Sequence, residues 1–237
     1  MINEAVINNI ANYKKQLSDY GWVTIPNFLD LSFANHALDT IEKRREWDIA
    51  TLRQGQPFVV GVSELAQQPS QVRSQFLNEI LMAANTNNFH YLYEFVRIVG
   101  PDSKLESDLN NLVNFFSSED YLSFGTMLLD VKVEDADAQV TKYTAGYFLK
   151  QHCDVRESKD KNRIAACVLG LTKGWNPDWG GLLNIMDEQG EIVKTISPKF
   201  NTMSIFSVPQ QHFVSQVSNF CSQARYSVTG WMWSEKI

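Results

Sequence analysis

The chain holds 237 residues with a formal net charge of −6, 44% hydrophobic and 20% charged side chains, which describes an ordinary globular protein with one sizeable core, or one core with an appendage. The acidic balance, with only Lys43-Arg44-Arg45 as a basic run, gives no electrostatic footprint for nucleic acid or an anionic membrane, and no apolar stretch approaches the length of a membrane span. The N-terminal segment has neither a basic region nor a long apolar one, and Cys153, Cys167 and Cys221 form no C-x-x-C pair; a reducing cytoplasm without a secretory leader is the expected setting.

Residues 4–19 carry Ile7, Ile10, Tyr13 and Leu17 at roughly helical spacing and stop near Gly21. An extended piece from Trp22 to Phe28 follows, after which Asp30 or Ser32 can cap a helix running to about Trp47. Pro69-Ser70 opens another helical region, through Phe76, Ile80 and Leu81 and on through Leu92, Phe95 and Val96, that stops before Gly100-Pro101. A further helix is expected over Leu105 to Phe116. From about Phe124 the period changes, and short β-rich runs alternate with turns: 139–143, 147–152, 163–171, 181–186, 191–196, 202–207, 213–217 and 225–233. Asp187-Glu188-Gln189-Gly190 reads as a hairpin turn and Trp175 to Gly181 as a tight loop.

Such a succession of short strands is the pattern of an α+β chain with a double-stranded β-helix, of jelly-roll or cupin type, at its core. Residues 1–123 are then mainly helical support, covering one outer face of the sheet formed by 124–237. No repeat, low-complexity segment or linker divides the sequence, so one domain is expected over 1–237.

Four residues stand out for chemistry. His152 and Asp154 form H-x-D, His212 follows much later, and Arg225 follows that. Two imidazoles and a carboxylate can occupy one face of an octahedral ferrous ion and leave three positions open, the ligand set of non-haem Fe(II) oxygenases. The ordinary alternatives are a chance H-x-D, a buried hydrogen-bonded His212 and an ion-paired surface Arg225. On a strand, positions i and i+2 share a face. His152 and Asp154 would thus converge into the barrel while Cys153, an inert thiol, points away. His212 would arrive from a later strand on the facing sheet.

The stretch from Tyr143 to Trp233 resembles the prolyl 4-hydroxylase branch of the Fe(II)/2-oxoglutarate dioxygenases. The matching elements are Tyr143, Gly146-Tyr147, His152-Cys153-Asp154, Arg163, Trp175 to Gly181-Leu182, Pro198-Lys199-Phe200, His212-Phe213-Val214 and Arg225 to Trp231. The resemblance implies that His152, Asp154 and His212 ligate iron. It also implies that Arg225 binds the distal carboxylate of 2-oxoglutarate, with Tyr143 and Thr229 in the same pocket; core packing is the plain alternative for these two. Two departures bear on the cosubstrate: Gly170 stands where related enzymes often carry a Tyr, and the interval from His212 to Arg225 is longer than usual, implying a longer hairpin around Asn219 to Gln223. Asp154 is present, which favours hydroxylation over halogenation. The polar loop Val155 to Asn162 is a solvated connection or a mobile lid over substrate, in which case Arg163 and Trp175 are candidate substrate contacts. Trp231 and Trp233 read as core or pocket wall.

The implied activity is prolyl 4-hydroxylation of a protein or peptide. It would use Fe(II), 2-oxoglutarate and O2 and release succinate and CO2, with ascorbate sustaining turnover as in the resembled family. Hydroxylation of a free amino acid or small metabolite is the second enzymatic reading. A non-catalytic β-barrel binding module with a vestigial metal site is the reading from another class.

Overall fold

The computed structural model describes residues 1–100, 107–156 and 160–236. In chain order these form helices α1 (Glu4–Asn8) and α2 (Ile10–Tyr20), strand β1 (Trp22–Pro26), helix α3 (Leu31–Lys43) and the hairpin β2 (Asp48–Arg53) and β3 (Gln56–Gly61). Helices α4 (Val62–Ala66) and α5 (Ser70–Ala84), strand β4 (Tyr91–Val99), and helices α6 (Asn110–Phe116) and α7 (Glu119–Leu129) follow. The remaining strands are β5 (Asp135–Tyr143), β6 (Phe148–Cys153), β7 (Lys161–Gly170), β8 (Leu183–Met186), β9 (Ile192–Ile196), β10 (Thr202–Ser207), β11 (Gln211–Val214) and β12 (Arg225–Glu235).

The strands run β1-β10-β7-β12-β5-β4-β6-β11-β8-β9, with the β2–β3 hairpin attached to β4. They curl into the double-stranded β-helix expected from the strand half of the sequence. The corner is turned by β4, which pairs with β5 over Glu94–Val99 and with β6 at Tyr91 and Leu92. It thereby joins the long layer β1-β10-β7-β12-β5 to the short layer β6-β11-β8-β9.

Strand periodicity decides what each face does. On β5, β7 and β12 one set of alternate side chains, including Ala138, Val140, Cys167, Leu169, Val228 and Met232, packs against the helical half through Leu17, Phe115, Phe124 and Leu128. Burying each large apolar side chain there contributes about 1.5–3 kcal/mol. Helix α7 lies close to the sheet because Gly125 has no side chain; a Cβ there would stand 2.7 Å from Met232 Sδ. The other set, with Tyr143 and Ala166, turns inward to meet Leu183, Ile185, Phe206 and Val214. A third cluster sets Phe76 and Ile80 of α5 on Ile49, Leu92 and Phe148.

The helical half differs from expectation in four places. Residues Tyr91–Val99, expected to continue a helix, form β4 with strictly alternating burial. The β2–β3 hairpin, around Gln54 and Gly55 at φ 53° and 75°, was expected as neither strand nor turn, and α3 ends at Lys43 rather than near Trp47. Helix α7 carries the helical half to Leu129, past the expected change of period at Phe124. The start of the expected 105–116 helix lies outside the described residues; a 3-10 turn (Ser107–Leu109) and α6 occupy the rest. No helix among the described residues is long and apolar enough to cross a membrane.

Candidate metal centre and cosubstrate pocket

His152 is the penultimate residue of β6, Asp154 lies just past its end, and His212 is the second residue of β11. His212 does not come from across the barrel as expected: β11 is the immediate neighbour of β6, and His212 sits in register with His152. Strand pairing therefore sets the spacing of the imidazoles, whose ring centroids are 4.2 Å apart. Asp154 stands before both, with Oδ1 3.6 Å from His152 Nε2 and Oδ2 3.4 Å from His212 Nε2. One ligand atom from each residue falls within 4.8 Å of the others, so the three can hold a metal ion.

The two histidines are oriented by one device used twice. Nδ1 of His152 lies 2.9 Å from the Lys150 carbonyl oxygen, and Nδ1 of His212 lies 3.0 Å from that of Gln210. A carbonyl can only accept, so each Nδ1 carries the proton and each Nε2 turns a lone pair toward Asp154. Burial, then the neighbouring His152, lower His212 from 6.5 to about 4, leaving a neutral imidazole fit to ligate. Burial by itself would raise Asp154, but the imidazoles beside it outweigh burial and hold it below the usual carboxylate value.

A cavity of about 420 Å³ opens over these atoms. Its walls include Tyr143, Arg225 and Thr229 together with the triad, and also Phe89, Tyr91, Tyr93, Gln139, Thr141, Arg156, Arg163 and Trp231. Arg225 opens β12 opposite Tyr143 of β5 and is only 3% exposed. Its Cζ lies 5.0 Å from the centre of the Tyr143 ring, and its Nε and Nη1 have no hydrogen-bond partner among the described residues. Burial lowers the Arg225 pKa and raises that of Tyr143 far above the usual phenol value. A buried guanidinium with unmade hydrogen bonds is costly by itself, and a planar carboxylate can pair with one edge of it. Next along the strand face, Ser227 Oγ is 3.0 Å from Thr141 Oγ1.

Backbone shape frames the arginine. Gly181, at φ +63°, leaves room for it: a Cβ there would stand 3.3 Å from Arg225 Cδ and 3.2 Å from Trp175. Trp175 donates its indole N–H to the Gly180 carbonyl at 2.9 Å and meets Trp179 edge-on. It braces the Gly-Gly turn behind Arg225 and is not among the cavity-lining side chains. Gly170 has a similar explanation. A Cβ there would run into the Lys199 carbonyl oxygen, so a tyrosine at this place is excluded by the main chain of the Pro198-Lys199 segment. Arg163, by contrast, lines the cavity beside Asp154. The candidate lid falls partly outside the described residues, since 157–159 lie there.

Residues 138–233, which contain every residue of this site except those on and before β4, match the family model of the 2OG-Fe(II) oxygenase superfamily. The chain carries the oxygenase segment of that superfamily over residues 138–233. It is a dioxygenase, and Fe(II), 2-oxoglutarate and O2 are the metal and cosubstrates that membership implies. No curated protein matches the sequence. Among solved structures, this oxygenase resembles a prolyl-4-hydroxylase from Pseudomonas putida at 18% identity and TM-score 0.58, covering 94% of this chain and 97% of the other. It also resembles a prolyl hydroxylase from Trichoplax adhaerens, in complex with a hypoxia inducible factor oxygen degradation domain peptide fragment, at 17% identity and TM-score 0.62, covering 96% and 91%. A third likeness is to the non-haem alpha-ketoglutarate-dependent epimerase SnoN of nogalamycin biosynthesis, at 9% identity and TM-score 0.56, covering 96% and 83%. At such identities these structures speak for the fold.

The residues of this oxygenase fit what the superfamily carries. Two Nε2 lone pairs and a carboxylate converge, and a buried cation with unmade bonds waits in the same cavity. Phe89, Tyr91 and Tyr93 do not stand out as site residues in the sequence because this stretch also fits helical spacing. They form a ladder along the cavity wall, with centroids 5.5 Å and 5.4 Å apart, and Tyr93 stacks on Tyr143 at 5.4 Å. The alternation of aromatic residues at 89, 91 and 93 was the available signal.

Proposed function

We propose that this oxygenase hydroxylates a prolyl residue of a protein or peptide, with release of succinate and CO2. The observation that carries the chemistry is the meeting, in one cavity, of the His152–Asp154–His212 ligand set with a buried Arg225 whose Nε and Nη1 lack partners. In this reading His152, Asp154 and His212 hold Fe(II), which with 2-oxoglutarate and O2 supplies the oxidation of an unactivated C–H bond. Arg225 binds the distal carboxylate of 2-oxoglutarate, with Tyr143 and Thr229 beside it. Asp154 stays ionised and His212 neutral, so neither ligand must shed a proton near neutral pH. The walls orient substrate and keep bulk water from the reacting centre.

The prolyl assignment draws support from two fold relatives, the Pseudomonas and Trichoplax prolyl hydroxylases, the second solved with a peptide. The epimerase SnoN shares the same fold, so the fold alone does not choose the substrate. The test has two stages. Anaerobic titration of apo-protein with Fe(II) and 2-oxoglutarate should give the visible charge-transfer band of a metal-chelated keto acid. It should be lost in Asp154→Ala and need far more cosubstrate in Arg225→Ala. Proline-containing peptides incubated with the loaded protein in air should then gain one oxygen, located on proline by fragmentation. No band in the wild type would sink the assignment of these residues; a band with no hydroxyproline would sink the prolyl reading alone.

A further inference from the structure

Beyond Asp154, away from Arg225, the cavity wall is rich in arginine. Trp231 and Trp233 follow Arg225 on the inward face of β12 by six and eight residues, and Trp233 is in register with Arg163 of β7. Six residues are about 20 Å of strand, so a 2-oxoglutarate running from Arg225 to the triad leaves this end free. The Arg163 side chain is 10% exposed, and its Cζ lies over Trp231, 3.8 Å from the ring centre. Carboxylates of Asp137 and Asp154 approach to 3.8 Å and 3.9 Å, but among the described residues its Nε has no hydrogen-bond partner, and neither does the indole Nε1 of Trp231. Arg156 lines the same cavity, and Arg97 stands near enough to Asp137 to act on its carboxyl. With Asp154 given to the metal, three guanidiniums act on the carboxylate of Asp137 among the described residues.

An internal peptide carbonyl would offer this wall one neutral acceptor. A carboxylate offers two oxygens and the opposite charge, matching a planar fork held flat on an aromatic face. We propose that this end of the cavity is a carboxylate subsite, in which Arg163, with Trp231 as a second donor, holds a free carboxylate of the substrate. Taken with the prolyl reading, on which this narrowing of substrate rests, the hydroxylated residue is a chain-terminal proline rather than an internal one, and free L-proline is its minimal fragment.

The experiment is calorimetric titration of the full chain, loaded anaerobically with Fe(II) and 2-oxoglutarate, with acid and amide pairs. The pairs are L-proline and L-prolinamide, N-acetyl-glycyl-L-proline and its C-terminal amide, and L-leucine and L-leucinamide. At least one acid should bind roughly ten-fold more tightly than its amide, the worth of a charge-assisted hydrogen bond. Arg163→Met should erase that preference and Arg163→Lys should retain part of it. The charge-transfer band of each variant shows that it is folded and loaded. Should Arg163→Met fail to load, Arg156→Gln should lower acid affinity by roughly three-fold. Equal binding of acid and amide, a preference that survives Arg163→Met, or no binding of any acid overturns the subsite. A preference confined to the leucine pair upholds the subsite and overturns the prolyl reading. Tighter binding of the prolyl amides overturns the subsite and leaves the prolyl reading standing.

Discussion

The two faces of β12 do opposite work. Val228 and Met232 look outward into helices and are almost wholly buried among apolar neighbours. Arg225, Thr229 and Trp231, their alternates, look inward at a cavity where polar atoms at Arg225, Arg163 and Trp231 have no partner among the described residues. One strand thus carries a face that is finished on folding and a face that a ligand finishes. A period of two keeps these demands apart without any further element, so stability and ligand affinity should be separable residue by residue.

The largest effect should come from the outward face. Leu169→Ala, at a fully buried position, should cost about 2–5 kcal/mol in urea denaturation while leaving the 2-oxoglutarate midpoint of the folded protein in place. A shift of that midpoint beyond a few-fold would break the separation. Acid offers a sharper probe of the inward face. His212 falls from 6.5 to about 4 on folding, so between those values the unfolded chain binds more protons than the native one. Apo-protein should hold this contribution above pH 6.5 and lose it as pH falls toward 4, by roughly 3 kcal/mol. The loss of Asp154 ionisation acts in the same direction. His212→Gln should flatten the slope, and an unchanged slope would mean that the imidazole is not buried neutral.

Removal of the anchoring cation should then act on affinity. Arg225→Met should weaken 2-oxoglutarate by about 10–100-fold, read from the charge-transfer titration, and leave the urea midpoint no lower, since an orphaned buried charge has gone. Gly170→Ala tests the boundary between the faces: its Cβ meets the Lys199 carbonyl, so a stability loss of about 1–3 kcal/mol is expected. The smallest change should follow Ser227→Ala, which deletes one hydroxyl contact to Thr141 for about 1 kcal/mol.

The strand half was legible because its segments are short, β-rich and punctuated, and because H-x-D and the later His and Arg lie at readable places along them. Which strands become neighbours was not legible. His212 was expected across the barrel, and only the antiparallel register with His152 shows that the pair is adjacent. In the helical half, Leu92, Phe95 and Val96 fit helical spacing. The true alternation of β4 was masked because both of its faces are apolar, one on the core and one on the cavity. The β2–β3 hairpin turns on Gln54-Gly55, whose first residue is not one of the usual positive-φ types. The aromatic wall of the site was lost with β4. Gly170 was noticed as a departure, but the main chain that displaces a side chain there comes from a segment distant in sequence.

The histidines take their proton placement from Lys150 and Gln210 through carbonyl oxygens alone. Such a partner has no side chain that mutation can delete. The side chains at 150 and 210 serve other carbonyls, at Ala84, Thr86 and Met186, so the folded members of a library that randomised both positions should retain metal-competent tautomers. Where other centres depend on a carboxylate that a single codon change removes, this one has written its alignment into the peptide bond, which inheritance cannot easily alter.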